Sequence, residues 1–194
     1  MRKRIHHKWT IEPKHNLHEN ARSIIPLMYD QFMSQAETVI RHPRLTGELH
    51  RMRVEGKPLR YLMELFEDRL GKPFRHCFAE IKNMIELMGK IHDCDIVIPM
   101  LQNHLQEMRF FNKALSNRKE SIPTRGIREL IRRQRTQRTS MFQEMCTKLR
   151  TWQVKNFREQ LVNSMLLSDH PINNNHLIKP TTYGNLYLAT CASS

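Results

Sequence analysis

The spacing of apolar residues is the feature that most restricts the fold of this chain. Between residues 17 and 167, apolar side chains recur at steps of three and four, which places them on one face of a helix. Residues 1–170 show none of the apolar–polar alternation that is typical of a half-buried strand. Several long helices with one apolar face each bury that face against one another. We therefore predict an all-α fold, an antiparallel bundle of about five long helices.

Glycine, proline and capping residues set the boundaries of the predicted helices. Gly71 and Pro73 separate the second helix from the third, and Asp93 is the expected N-cap of the fourth. The predicted helices cover residues 17–40, 48–70, 74–90, 93–112 and 123–167. The predicted organisation is a basic N-terminal segment over residues 1–15, a helical domain over residues 16–167, and a C-terminal tail over residues 168–194 that we expect to be disordered.

The chain carries a large excess of positive charge. It has 32 Lys and Arg residues against 19 Asp and Glu residues, a formal net charge of +13. Such an excess favours anionic partners, namely nucleic acid, an acidic membrane surface or a phosphate polymer. We expect neither a membrane span, which needs roughly 20 apolar residues, nor a signal peptide. The four cysteines form no C-x-x-C pair, which favours reduced thiols in a cytoplasmic protein.

Four basic residues share one side of the second predicted helix. At about 100° per residue they fall within an arc of roughly 80°, beside the apolar face. They are His50, Arg53, Lys57 and Arg60. Positive groups one helical turn apart can follow successive phosphates of an extended polymer. The alternative is a solvated helix face with ion pairs four residues apart, such as Arg60 with Glu64.

The fifth predicted helix repeats this arrangement with arginines alone. The four lie at steps of three, four and three within an arc of roughly 80°. They are Arg125, Arg128, Arg132 and Arg135. Glu129 is the one acidic residue close to them in sequence, so we expect little neutralisation within the helix. Because a guanidinium can bind two phosphate oxygens at once, this stripe favours an anionic partner. Whether the two stripes face each other across a groove is open at this point.

Two segments carry a resemblance to a known family. Residues 49–66, LHRMRVEGKPLRYLMELF, resemble the signature helix of the CHAD family (conserved histidine α-helical domain). Residues 87–96, LMGKIHDCDI, are similar to its second signature. With its flanks the resemblance covers roughly residues 16–165. It implies antiparallel helical bundles that bind inorganic polyphosphate on a basic, His-containing surface, without catalytic activity. We expect no cofactor and no metal. We further expect a location in the cytoplasm or at polyphosphate granules, and polyphosphate-metabolising enzymes as further partners.

The resemblance assigns binding roles by position in the two signatures. His50, Arg53, Lys57 and Arg60 match the first signature. His92 matches a basic position of the second, with Lys90 beside it. Asp93 is expected to cap a helix or orient a basic side chain. Members of the family often carry two copies of the signature, and this chain has one good copy. The architecture is therefore open between one bundle and two packed bundles, with the Arg125–Arg135 stripe as a substitute for the second copy.

Two other functions fit parts of the pattern. An HD-type phosphohydrolase places an isolated His, a His-Asp pair and a later Asp around a divalent metal ion. His50 and then His92-Asp93 match that order. For the last ligand, Asp95 is too close and Asp169 lies in the predicted tail. A helical nucleic-acid-binding protein fits the charge equally well, although Tyr and Trp residues that could stack on bases lie mostly outside the stripes.

Overall fold

The structure, a computed structural model, describes residues 11–115 and 121–166. Within these ranges the chain forms six helices and no strand. They are α1 (Leu17–Met33), α2 (Ala36–Arg41), α3 (Thr46–Glu64), α4 (Gly71–Ala114), α5 (Arg125–Val154) and α6 (Phe157–Leu166). The prediction of an all-α bundle is confirmed. The predicted tail over residues 168–194 lies outside the described residues, as do residues 1–10.

The third and fourth predicted helices are one continuous helix, α4, of 44 residues. The prediction that Asp93 is an N-cap is therefore wrong, because Asp93 lies inside α4. A glycine within a helix costs only about 1 kcal/mol relative to alanine. Met88 and Ile91, on either side of Gly89, are completely buried. The burial of this segment outweighs the weak local signal for a break.

Two other predicted helices are divided. The first ends at Met33 and resumes as α2, and the fifth ends at Val154 before α6. At the second break Asn156 has a positive φ of 51°, a left-handed conformation that asparagine tolerates better than most residues. This turn sends α6 back along α1 and α4, where Phe157, Leu161 and Met165 are buried.

The segment before α1 is anchored to the helix. Asn16 and Glu19 form a capping box, which satisfies backbone N–H groups at the start of α1. The buried Asn20 side chain accepts a hydrogen bond from Glu12 N (2.8 Å) and donates to Glu12 O and His15 O (3.1 Å each). Residues 12–16 are thus held against the bundle by one amide side chain.

Helix α4 is the central element. It packs against α3, α5 and α6, and α1 packs against α3 and α6. The core contains four phenylalanines that are almost completely buried: Phe32, Phe66, Phe74 and Phe78. None of the helices in the described part is long and apolar enough to cross a membrane.

The second half of α4 extends beyond the bundle. By its length α4 spans about 66 Å, whereas α3 with 19 residues spans about 28 Å and covers only the first half. Beyond residue 96, α4 is accompanied by α5, and Leu105 and Ile131 are buried there. We call residues 96–114 together with residues 125–138 the α4–α5 hairpin.

Gly56 sets the distance between α3 and its neighbours, and this can be tested. A Cβ atom on Gly56 would lie 2.8 Å from Ile85 Cδ1 and 2.9 Å from Phe32 Cδ2. We expect Gly56→Ala to lower the free energy of unfolding by about 1–2 kcal/mol, because overpacking outweighs the gain in helix propensity. Urea denaturation measures this change in the free energy of unfolding. The control is Gly47→Ala, where a Cβ meets no atom within 4 Å. Equal stability of the two variants would show that α3 is not held this closely.

Candidate functional site

The two signature segments lie side by side. Helices α3 and α4 run antiparallel, and the rings of His50 and His92 meet with centroids 4.6 Å apart and planes tilted by 39°. His50 is exposed and His92 is half-buried. The close approach at Gly56 brings the helices near enough for this contact. Both imidazoles therefore belong to a single surface between α3 and α4.

Arg53 lies one helical turn after His50 and covers Gly89. A Cβ atom on Gly89 would lie 3.5 Å from Arg53 Nε and 3.7 Å from Nη2, so the guanidinium rests on the α4 backbone where a side chain is missing. The Nε atom of Arg53 is buried and has no hydrogen-bond partner in the described structure. A buried donor without a partner is costly. Arg53 is thus held by packing, and no carboxylate among the described residues lies within 4.0 Å of it to neutralise its charge.

Arg60 continues the row but is partly neutralised. Its Nη2 lies 3.9 Å from Glu64 Oε2, and its guanidinium lies 5.0 Å from the centroid of the Tyr61 ring. The alternative interpretation of the stripe, an ion pair with Glu64, thus holds at this one position, although 3.9 Å is too long for a hydrogen bond.

The two lysines differ in position. Lys57 is half-buried on α3 in the same row as Arg53, and within the described chain no carboxylate lies within 4.0 Å of its ammonium. Lys90 is exposed on α4 and lies 200° around the helix from His92. The structure therefore gathers His50, Arg53, Lys57 and His92 on one surface, with Lys90 on a different side of α4.

The arginine stripe of α5 lies elsewhere. Arg128, Arg132 and Arg135 line a cavity of about 400 Å³ in the α4–α5 hairpin, together with Gln102 and Leu105 of α4. Arg125 is exposed at the start of α5, outside this cavity. Because α4 lies between α3 and α5, the two basic stripes form separate surfaces.

Glu129 neutralises part of the α5 surface. It accepts hydrogen bonds from Arg132 Nε (2.8 Å), Arg132 Nη2 (2.7 Å) and Arg133 Nε (3.0 Å). These bonds lower the pKa of Glu129 to about 2, and the same contact raises the pKa of Arg132. The expectation of little neutralisation within this helix is therefore wrong for Arg132. One glutamate serves two arginines because they lie three and four residues after it.

A scan against protein-family models matches the CHAD domain over residues 3–102, just over half of the chain. The chain belongs to the CHAD domain family. The match includes both signature segments and ends before α5. No curated protein and no solved structure matches the chain significantly. The α3–α4 surface thus lies within the CHAD match, and the arginine stripe of α5 lies outside it.

One residue that organises this CHAD surface was not assigned a role from the sequence. Arg138 Nε donates to Asp95 Oδ1 (2.8 Å), and its Nη2 donates to the backbone oxygen of Pro43 (2.9 Å). The pair is well buried, with 16% and 9% of the two side chains exposed. It joins α5, α4 and the turn before α3. Its partners are 43 and 95 residues away along the chain, so no local pattern could have indicated it.

The HD-type alternative requires a cluster of metal ligands. Among residues 11–115 and 121–166 there is no group of three or more His, Cys, Asp or Glu side chains placed to hold a metal ion. His50 and His92 meet as a pair. Asp95, close to them in sequence, is bonded to Arg138. The three thiols in the described part, Cys77, Cys94 and Cys146, are buried, and burial raises the pKa of each.

Proposed function

We propose that this CHAD protein binds inorganic polyphosphate on the α3–α4 surface and does not catalyse a reaction. The observation that carries the proposal is the meeting of His50 with His92 beside the Arg53 guanidinium. Two segments separated by some forty residues converge there on one basic surface. Under this proposal the protein acts in the cytoplasm, at granules where polyphosphate accumulates, with polyphosphate-metabolising enzymes as neighbours.

The chemistry of binding is charge-assisted hydrogen bonding. Arg53, Lys57 and Arg60 donate from guanidinium and ammonium groups to non-bridging phosphate oxygens. His50 and His92 add donors at the end of the row, and more charge when protonated. Displacement of counterions from the polymer adds a term that weakens as salt rises. Since Arg53 is already positioned by packing, little side-chain entropy is lost when it binds.

The α5 surface is a second contact region under this proposal. Arg125, Arg128 and Arg135 have no carboxylate within 4.0 Å in the described structure, so their charges are available to a polyanion. A nucleic acid would satisfy this surface equally well on electrostatic grounds. The choice of polymer is therefore the first quantity to measure.

A titration of defined-length polyphosphate and of charge-matched DNA tests the proposal. We expect the variant His50→Ala/Arg53→Ala/Lys57→Ala to bind polyphosphate about 30-fold more weakly or worse at near-physiological salt, because it loses several charge-assisted contacts. Weak binding of DNA by the wild type is the second expectation.

The matched control removes the same three residue types, one Lys, one Arg and one His, from α4 instead of α3. Lys72→Ala/Arg75→Ala/His76→Ala alters three exposed residues near the start of that helix, away from His92. It should retain affinity within about threefold, the scale of a surface charge effect. Equal losses in both variants, or equal affinity for polyphosphate and DNA, would mean that net charge alone drives binding.

Gly89 allows a test that leaves every charge in place. In Gly89→Leu the new side chain occupies the space of the Arg53 guanidinium and displaces it. Helix stability should be preserved, because leucine is the better helix former. We expect about tenfold weaker polyphosphate binding, equivalent to one lost contact of about 1.4 kcal/mol.

The control for this change is Ala79→Leu, at an exposed position of the same helix. Circular dichroism before titration shows that both variants are folded. If Gly89→Leu binds polyphosphate as tightly as the wild type, the position of the Arg53 guanidinium over Gly89 does not contribute to binding.

Substitution of Glu129 measures how much the arginines of α5 contribute to polyphosphate binding. Its pKa of about 2 means that it remains charged throughout the neutral range, so only substitution can remove its effect. We expect Glu129→Gln to bind polyphosphate several-fold more tightly, with a salt dependence steeper by about one counterion. Glu144→Gln is the control, since Glu144 pairs with Lys148 further along α5. Identical behaviour of both variants would exclude α5 from the contact region.

A further inference from the structure

One face of α4 is buried in its first half and exposed in its second. Ile85, Gly89 and His92 contact α3 on this face. Continuing at helical steps, the same face within an arc of roughly 100° carries four large apolar residues beyond the start of α3. They are Ile96, Met100, Phe110 and Phe111.

These four side chains are open to solvent. Ile96 and Met100 are 59% exposed, Phe110 is 77% exposed and Phe111 is 51% exposed. On the other side of α4 the hairpin is closed by α5, through Leu105 and the Asp95 contact. Two exposed pairs of large apolar side chains on one helix face indicate an interaction site. Within residues 11–115 and 121–166, the face that α3 covers in the bundle thus continues into the hairpin without a covering helix.

The charge of this face limits what can cover it. Residues 91–108 contain no Lys or Arg, although the whole chain has a net charge of +13. The charged groups on or beside the face are Asp93, His104 and Glu107, and His104 Nδ1 lies 3.4 Å from Glu107 Oε2. Arg109 and Lys113 flank Phe110 and Phe111 but lie about 60° or more outside this arc, so a polyanion or an acidic membrane would meet no Lys or Arg on the face itself. The arginines of α5 lie on the opposite side of α4, so two copies of the chain can meet at this face without opposing those arginines.

The arrangement of the apolar residues is self-complementary. The aliphatic pair, Ile96 and Met100, lies at one end of the face, and the aromatic pair, Phe110 and Phe111, lies at the other. A twofold axis near Asn103 places Ile96 opposite Phe110 of the second copy, and Met100 lies about one helical turn from that contact, as a self-complementary isologous interface requires. Such a contact extends along about 24 Å of helix and buries roughly 1,000 Å², at the lower limit of a specific protein–protein interface.

We propose that two copies of this chain associate through the exposed face of α4, antiparallel about Asn103, so that the two α4 helices pack against each other with an α5 helix on the outer side of each. This inference is independent of the proposed ligand. It accounts for the exposed apolar residues of the hairpin as residues of a helix–helix interface that forms only in the dimer.

Sedimentation velocity of the full chain over a range of concentrations tests this proposal. The wild type should change from monomer to dimer as its concentration rises. Met100→Glu/Phe111→Glu should weaken dimerisation by about 30-fold or more, since each change acts twice across the twofold axis. Its thermal stability as a monomer should be unchanged, because both positions are exposed.

The control is Leu27→Glu, at a position on α1 that is 53% exposed and lies in the bundle rather than the hairpin. It should dimerise like the wild type. A wild type that stays monomeric at all concentrations, or equal weakening by Leu27→Glu, would overturn the proposal.

A disulfide cross-link between two copies tests where the twofold axis of the dimer lies. In a Cys191→Ser background, Asn103→Cys should form a covalent dimer on mild oxidation, whereas Asn83→Cys, at an exposed position in the first half of α4, should not. A dimer that cross-links through residue 83 and not through residue 103 would mean that the interface lies elsewhere.

Discussion

The close contact of α3 with α4 and α1 at Gly56 is the constraint on which the candidate site depends. A Cβ atom at this position would lie less than 3 Å from the Ile85 side chain and the Phe32 ring, so those side chains pack directly against the α3 backbone. Because α3 and α4 run antiparallel from this point, the first signature passes directly along the second. The contact of His50 with His92 follows from that packing, as does the position of Arg53 over Gly89.

The two basic surfaces differ in how their charges are held. On α3, burial of Nε fixes Arg53, and the guanidinium has no acidic neighbour within 4.0 Å among the described residues. On α5, Glu129 balances two exposed arginines, and Arg138 is committed to Asp95 and Pro43 in a structural role. Arginines that are adjacent in sequence therefore have different tasks, which net charge cannot distinguish. Position and partner decide which positive groups remain available to an anion.

Local periodicity was sufficient to predict the fold class, the basic row on α3 and the apolar face of each helix. The boundaries were predicted less well where a weak local signal competed with burial: Gly89 and Asp93 indicated a break, yet Met88 and Ile91 are buried in one continuous helix. The Arg138–Asp95 pair depends on side chains from distant segments, so it could not be predicted. The separation of the two basic stripes could not be predicted either, because the order of helices around α4 is a tertiary property.

The continuity of α4 has one more consequence, which concerns length. On α4, Gly89 lies beneath Arg53 of the first basic surface, and Gln102 lines the cavity of the second. The two positions are thirteen residues apart on the same helix. An unbroken helix rises 1.5 Å per residue, so the two surfaces are held about 20 Å apart along one rigid rod. Because the two surfaces also face different sides of α4, only a polymer well longer than this distance can reach both, and it then gains the effective concentration of a tethered second contact. The length of α4 would then make the protein bind long anionic chains more tightly than short ones.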